Sequence, residues 1–155
     1  MSQYGRCLLD NVYYHVMSRG NQKQRVFLED ADFERYLVLL KRYKTRYKFD
    51  LFAWCLMPNH VHLILRVNKP KELARIMQGL NLAYYLKYSK VGHLWQGRFK
   101  SMIIQKDKYV LDCINYIEMN PLRAGIKVAP LEYLWSSYRS RSLGDKLNLL
   151  DNPLI

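Results

Sequence analysis

Apolar residues fall in short patterned stretches, and the period of each pattern names the element it builds. From Val12 to Ser18 the chain is β-branched and aromatic and runs out at Arg19-Gly20-Asn21, which predicts a strand closing in a turn or flexible loop. Between Asp30 and about Lys48, Phe33, Tyr36, Leu37, Leu40, Tyr43 and Tyr47 recur at spacings of three and four, the stripe of an amphipathic helix. Leu51 to Met57 reads as a short, strongly apolar strand. Pro58-Asn59 supplies turn chemistry and His60 to Val67 alternates as a partner strand, so the two should form a hairpin. A second helix follows Pro70, with Leu73, Ile76, Met77, Leu80 and Tyr84 on one face. After a glycine-containing loop from Gly92 to Gly97, Arg98 to Gln105 fits a fourth strand. Helical spacing returns from Lys106 to Asn120 through Tyr109, Val110, Cys113, Ile114 and Ile117, and Pro121 is expected to stop that helix.

The order strand, helix, strand, strand, helix, strand, with an extra helix at the end, matches an α+β ferredoxin-like sandwich. In that fold an antiparallel sheet carries two helices on one face, and here the additional C-terminal helix is expected over the other. No repeat, low-complexity tract or composition break marks a linker. Residues 1–140 are therefore expected to form one domain and 141–155 a loosely anchored C-terminal tail.

Charge narrows the partners. The 25 Lys and Arg against 13 Asp and Glu give a net charge of +12 over 155 residues, a surface that attracts polyanions, nucleic acid first. A membrane is the rival, but no apolar run nears the ~20 residues a spanning helix needs. The N-terminal MSQYGRCLLDN also lacks the apolar stretch of a signal peptide, so a cytoplasmic protein is expected. Cys7, Cys55 and Cys113 are widely spaced without a CxxC pair, which argues for reduced thiols and against a thiolate zinc site. Thirteen Tyr and three Trp suit base stacking, although most should simply fill the core and its margins.

Residues two apart on a strand point the same way, so His60, His62, Ile64 and Arg66 share one face and Val61, Leu63, Leu65 and Val67 the other. The second set is wholly apolar and should face the helices, leaving both imidazoles on the open face as a ready chelate for a divalent ion. An HxH pair alone is better read as two polar residues on a solvated face. A zinc hydrolase would want a third ligand placed with a general base, and no HExxH run appears. On the last helix Tyr116 and Asn120 stand one turn apart on one face. If that helix covers the open sheet face, Asn120 becomes a third, neutral metal ligand and Tyr116 stands beside the ion. Two neutral imidazoles and an amide leave the ion most of its charge for a phosphate, which suits phosphodiester cleavage with Tyr116 as nucleophile. Taken singly, Tyr116 also fits a core-edge residue and Asn120 a helix end before a proline.

The run MPNHVHLIL from Met57 to Leu65, together with YIEMNPLRAG from Tyr116 to Gly125, resembles the single-tyrosine transposases of the HUH superfamily, most closely the REP-associated tyrosine transposases. YHVMSRGNQKQRVF from Tyr14 to Phe27, LWQGRFK from Leu94 to Lys100 and WSSY from Trp135 to Tyr138 resemble further family blocks in the expected order. The resemblance implies a ferredoxin-like fold, a Mg2+ or Mn2+ ion, and single-stranded DNA folded into a hairpin, cleaved to leave a 5′-phosphotyrosine link and a free 3′-hydroxyl. It makes His60 and His62 the HUH ligands, Tyr116 the nucleophile and Asn120 the third ligand. Glu118 departs from the His that many relatives carry, but lies off the Tyr116 face. The insertion-sequence relatives share active sites in domain-swapped dimers, whereas the REP-associated group implies a monomer in which Tyr116 serves its own His pair and the WSSY segment helps cover or regulate the site.

Beyond the chemistry, Arg19 and Asn21 at a sheet end, Trp95, Gln96 and Arg98 around a glycine, Lys100 on the following strand and Arg123 after the Tyr116 helix are candidate DNA contacts. Lys41, Arg42, Lys44, Arg46 and Lys48 on the first helix fit a solvated face that steers phosphate. A non-catalytic nucleic-acid module, in the manner of RNA-recognition sheets, is the competing class. A replication initiator or relaxase would share the chemistry but carry further domains.

Overall fold

The computed structural model describes residues 12–88, 93–105 and 108–153. In chain order they form β1 (Tyr13–Arg19), α1 (Asp30–Tyr47), β2 (Asp50–Met57), β3 (His60–Arg66), α2 (Glu72–Tyr88), β4 (Lys100–Ile104), α3 (Lys108–Glu118), α4 (Asn120–Arg123) and α5 (Ser137–Leu143), with single 3-10 turns at Asn21–Lys23 and Pro130–Glu132. The sheet runs β2-β3-β1-β4 with every neighbour pair antiparallel, the ferredoxin-like arrangement the element order implied. Cys7, Gly92 and Lys106 lie outside the described residues.

Alternation on the strands sorts two cores. Tyr14 and Val16 of β1 and Val61, Leu63 and Leu65 of β3 join Phe33, Tyr36 and Leu40 of α1 and Leu73, Ile76, Met77, Leu80 and Tyr84 of α2 in the main core. On the other face, Tyr13, Phe52, Ala53, Ile64 and Ile104 receive Val110, Ile114 and Ile117 of α3. The second strand also alternates between the cores, and a register shift between Leu51 and Ala53 puts the adjacent Phe52 and Ala53 on the same face. Leu51, Trp54 and Leu56 therefore enter the main core while Phe52 and Ala53 face α3. Each aliphatic side chain so buried stabilises by roughly 1.5–3 kcal/mol, so three on one side of α3 suffice to seat it. It lies against β2 and β3, covers Tyr13 and Ile104 at one end of β1 and β4, and leaves the part of that face around Lys100 and Met102 uncovered, with Met102 67% exposed.

Local signals fix the element ends. The Asp32 carboxylate accepts the backbone N–H groups of Leu28 (2.9 Å) and Glu29 (3.3 Å) ahead of α1, and Lys48 closes it in the left-handed region with φ 54° and its N–H on the Lys44 carbonyl. Gly97, at φ 57°, turns the chain before β4, which begins at Lys100 rather than Arg98. Pro121 does not stop the last long helix as expected. That helix ends at Glu118, Met119 breaks the run at φ −90° and ψ 0°, and Pro121 sits in the first turn of α4, where its missing N–H has no intrahelical partner to lose.

The expected tail is a correction. The boundary at residue 141 falls inside α5, and the chain beyond it is tied to the outer edge of β2. Asp151 donates its N–H to the Leu51 carbonyl (2.7 Å), accepts the Leu51 N–H on its carboxylate (2.9 Å) and pairs with Lys44 (3.0 Å), while Leu149 is 1% exposed in the main core. Upstream, the Leu56 N–H bonds the Trp135 carbonyl (2.8 Å) and the Trp54 N–H bonds the Ser137 hydroxyl (3.0 Å). These bonds cover an otherwise bare strand edge. Trp135 stacks on Phe33 with centroids 4.8 Å apart, so WSSY is built into the fold. Among the described residues no helix is long and apolar enough to cross a membrane.

Candidate active site

The third strand presents His60 and His62 to the face that α3 partly covers, with ring centroids 4.9 Å apart and planes at 86°. Neighbours of His60 settle its tautomer. Its Nδ1 lies 2.6 Å from Oδ1 of Asn59, an acceptor, whose Nδ2 donates to the Lys23 carbonyl at 3.4 Å. The His60 proton therefore sits on Nδ1 and the lone pair on Nε2. Nδ2 of Asn120 stands 3.2 Å from that Nε2, so the residue opening α4 reaches the first imidazole of its own chain.

The second imidazole has a partner that the sequence reading did not name. Nε2 of His15 lies 2.9 Å from Nδ1 of His62. On β1, Met17 is opposite His62 and His15 opposite Ile64, so the contact is diagonal between two residues of the same sheet face. Spacing along one strand carries no such signal; only the β1–β3 register brings the two rings together.

Burial holds all three imidazoles neutral. It pushes the His60 pKa down to about 4, helped by the Arg19 guanidinium, and that of His62 down to about 3, helped by His60, His15, Arg123 and Arg19 in that order. His15 is lowered by burial as well. Neutral nitrogens are available as ligands at physiological pH. Cys55, opposite His62 across the β2–β3 pair, is buried and its thiol is held well above its usual range by that burial, so it offers no thiolate.

Tyr116, two residues before the end of α3, is 54% exposed. The Arg123 guanidinium lies 3.9 Å over its ring and donates to the Tyr116 carbonyl. The same guanidinium adds to the lowering at His62, behind burial, His60 and His15. Glu118 is 3% exposed and turns the other way. Its carboxylate takes the Ser137 hydroxyl and the Arg141 guanidinium (3.2 Å), and Arg141 also donates to the Phe52 carbonyl. A buried ion pair thus ties the end of α3 to α5 and to β2.

The remaining candidates divide in two. Arg19, exposed, is opposite His60, and Lys100 is opposite Met17, so both project on the imidazole face, where the β1–β4 side is open. Asn21, Trp95 and Gln96 gather at the sheet end through backbone bonds, Asn21 N–H to Leu94 and Gln96 N–H to Arg19, each 2.8 Å. Trp95 is an anchor there, its indole N–H on the Asn81 carbonyl (3.0 Å) and its ring against Tyr36 and Tyr84. Partly buried, it lines a cleft of about 550 Å³ together with Arg98. Of the α1 cations, Lys44 and Lys41 serve the chain end, on Asp151 and the Leu147 carbonyl.

A divalent ion fits this donor set. Two nitrogens bound to one ion at the usual ~2.1 Å and at a right angle would put their ring centres roughly 4.7 Å apart, close to the 4.9 Å observed. Among the described residues no three His, Cys, Asp or Glu side chains form a cluster shaped for an ion. The third protein ligand would be the Asn120 amide oxygen, which a flip of the amide brings to the side now occupied by Nδ2.

Comparison with known proteins bears on the family and the fold. The family model described as "Transposase IS200 like" matches residues 9–120. A Haemophilus influenzae protein named as a REP-associated tyrosine transposase is 23% identical over 158 residues, covering 89% of this chain and 86% of that protein. Among solved structures, a REP-associated tyrosine transposase bound to a REP hairpin superposes with a TM-score of 0.81 at 18% identity, over 93% of this chain and 87% of that one. A Deinococcus radiodurans protein named as a transposase gives 0.50 at 18% identity, over 76% and 96%. At such identities the structural likeness speaks for the fold.

Proposed function

The chain belongs to the IS200-like transposase family, and from that premise we propose that it nicks and rejoins single-stranded DNA beside a hairpin through a 5′-phosphotyrosine intermediate. The observation that carries this reading is the contact between Asn120 and His60 within one chain, which brings the residue four positions after an exposed tyrosine against the imidazole pair. The hairpin is suggested by the structural relative, which binds one.

In this reading His60 Nε2, His62 and the Asn120 amide oxygen would hold Mg2+ or Mn2+. When bound, the ion supplies Lewis-acid polarisation of the scissile phosphate. The Tyr116 hydroxyl attacks phosphorus in line, losing its proton, and the bond from phosphorus to the 3′-oxygen breaks. That oxygen takes up a proton and leaves as a 3′-hydroxyl. The phosphotyrosine keeps a phosphodiester's worth of energy, so a later 3′-hydroxyl can attack it and release the phenol. Arg123, on the Tyr116 ring, orients the nucleophile and offers charge to the phosphate. Arg19 and Lys100 line the open sheet face where a strand would lie, with Asn21, Trp95, Gln96 and Arg98 at its end. In this reading α3 serves its own sheet and Tyr116 acts in cis, as in a monomer.

The test is a hairpin oligonucleotide from the flanks of the coding region incubated with Mn2+ and resolved on a denaturing gel. A covalent protein–DNA adduct is expected, absent with chelator and absent in Tyr116→Phe, which should still bind the hairpin. An adduct that survives Tyr116→Phe overturns the nucleophile. Binding unaffected by chelator, with no adduct under any condition, would instead favour a non-catalytic binding module.

A further inference from the structure

We propose that His15 is a positioning residue for the ion site: its Nε2 accepts the Nδ1–H of His62 and thereby keeps the Nε2 lone pair of His62 free for a ligand bond. The inference rests on the proposed function only in naming what the lone pair is for.

Two neutral imidazoles with nitrogens 2.9 Å apart share a single proton, so one ring donates and the other accepts. If His15 donated, the His62 proton would sit on Nε2 and the ring could not ligate through that atom. If His62 donates, its tautomer matches the one Asn59 imposes on His60 through the same ring position. Both candidate ligands are then prepared alike, each with Nδ1–H engaged by an acceptor, the arrangement in which ligating histidines are held and their basicity raised. Among the described residues no second hydrogen-bond partner is recorded for Nδ1 of His62.

The choice of acceptor matters chemically. A carboxylate in place of His15 would add a negative charge next to the ion and reduce the charge available to a phosphate. An imidazole accepts equally well and stays neutral, in keeping with a donor set that holds no acid. The position is also rigid, since β1 and β3 pair through six consecutive residues from Tyr14 opposite Leu65 to Arg19 opposite His60.

The experiment uses the full chain labelled with 15N at histidine, without metal. Long-range 1H–15N spectra should show His62 protonated on Nδ1; protonation on Nε2 overturns the proposal without any variant being made. Mn2+ titration followed by electron paramagnetic resonance then compares wild type with His15→Phe, which fills the space without an acceptor, and His15→Asn, whose carbonyl can accept. His15→Phe should weaken Mn2+ binding about 10–100-fold, with His62 moving toward the Nε2–H form, and His15→Asn should recover most of the affinity. Should the Phe variant not fold, the wild-type tautomer and the Asn variant still decide the matter. Wild-type affinity in a folded Phe variant overturns the role of His15 alone, whereas a wild type that binds no Mn2+ overturns the ion site itself.

Discussion

Removing Arg141 should cost far more than its surface position suggests. Its guanidinium is the cation facing the Glu118 carboxylate, and the two side chains are 30% and 4% exposed. Arg141→Met keeps most of the length and volume but leaves a buried carboxylate with the Ser137 hydroxyl as its remaining partner. Breaking one side of a buried pair costs about 3–5 kcal/mol; because Arg141 is partly solvated, the lower end, about 3 kcal/mol, applies. For a domain of this size that is a fall in Tm of roughly 6–12 °C. Replacing both partners, Glu118→Leu with Arg141→Met, removes the stranded charge, so the double variant should be more stable than Arg141→Met alone. Urea denaturation of the four proteins of this cycle measures the coupling. A shift below about 2 °C in Arg141→Met, or single effects that simply add within ~0.5 kcal/mol, would refute the claim that this pair clamps the helix bearing Tyr116.

Acid should destabilise the metal-free protein before its carboxylates titrate. The unfolded chain protonates its histidines near 6.5, whereas in the fold His60 stays neutral to about 4 and His62 to about 3. Between those values the unfolded state binds more protons, so the free energy of unfolding falls as pH drops below 6.5; denaturant melts at pH 7 and pH 5 should show this, with a smaller difference in His62→Asn. Raising salt should weaken hairpin binding, and Lys100→Ala should lower the slope of log K against log salt by about 0.7 if that side chain touches one phosphate of a single strand; an unchanged slope removes Lys100 from the interface. Imidazole donors favour Mn2+ over Mg2+, so half-maximal adduct formation should need less Mn2+ than Mg2+, and a reversed order would argue against His60 and His62 as ligands.

Wherever a face is buried, the fold was legible. The stripe Leu73, Ile76, Met77, Leu80, Tyr84 is wholly buried in α2, and Val61, Leu63 and Leu65 turn to the helices, which leaves His60 and His62 on the other side. Features that depend on pairing between distant segments were not legible. His15 meets His62 only through the β1–β3 register, and nothing in the pattern of β1 distinguishes it from a solvated histidine. The last segment carries little apolar periodicity because hydrogen bonds to β2 and an ion pair to Lys44 of α1, rather than an apolar stripe, hold most of it. Pro121 was read as a stop because its ring forbids a helix interior, yet the break one residue earlier turns it into a helix start.

The half-covered sheet face explains how one short helix can serve two purposes. Had α3 been longer or more apolar, it would have closed the β1–β4 side and shut Lys100, Met102 and His15 away from any strand of DNA. Had it been held only by Val110, Ile114 and Ile117, its C-terminal turn would fray, since ends of helices leave carbonyls without partners and unwind first. Glu118 resolves the conflict: it fixes that turn from behind, through Ser137 and Arg141, without covering the front where Tyr116 projects. Arg123 then closes on the Tyr116 carbonyl and ring, and Asn120 on His60, so Tyr116, the proposed nucleophile, is braced across the Met119 break. An exposed tyrosine on an ordinary surface has no need of this bracing; a phenol that must meet a phosphorus atom in line does.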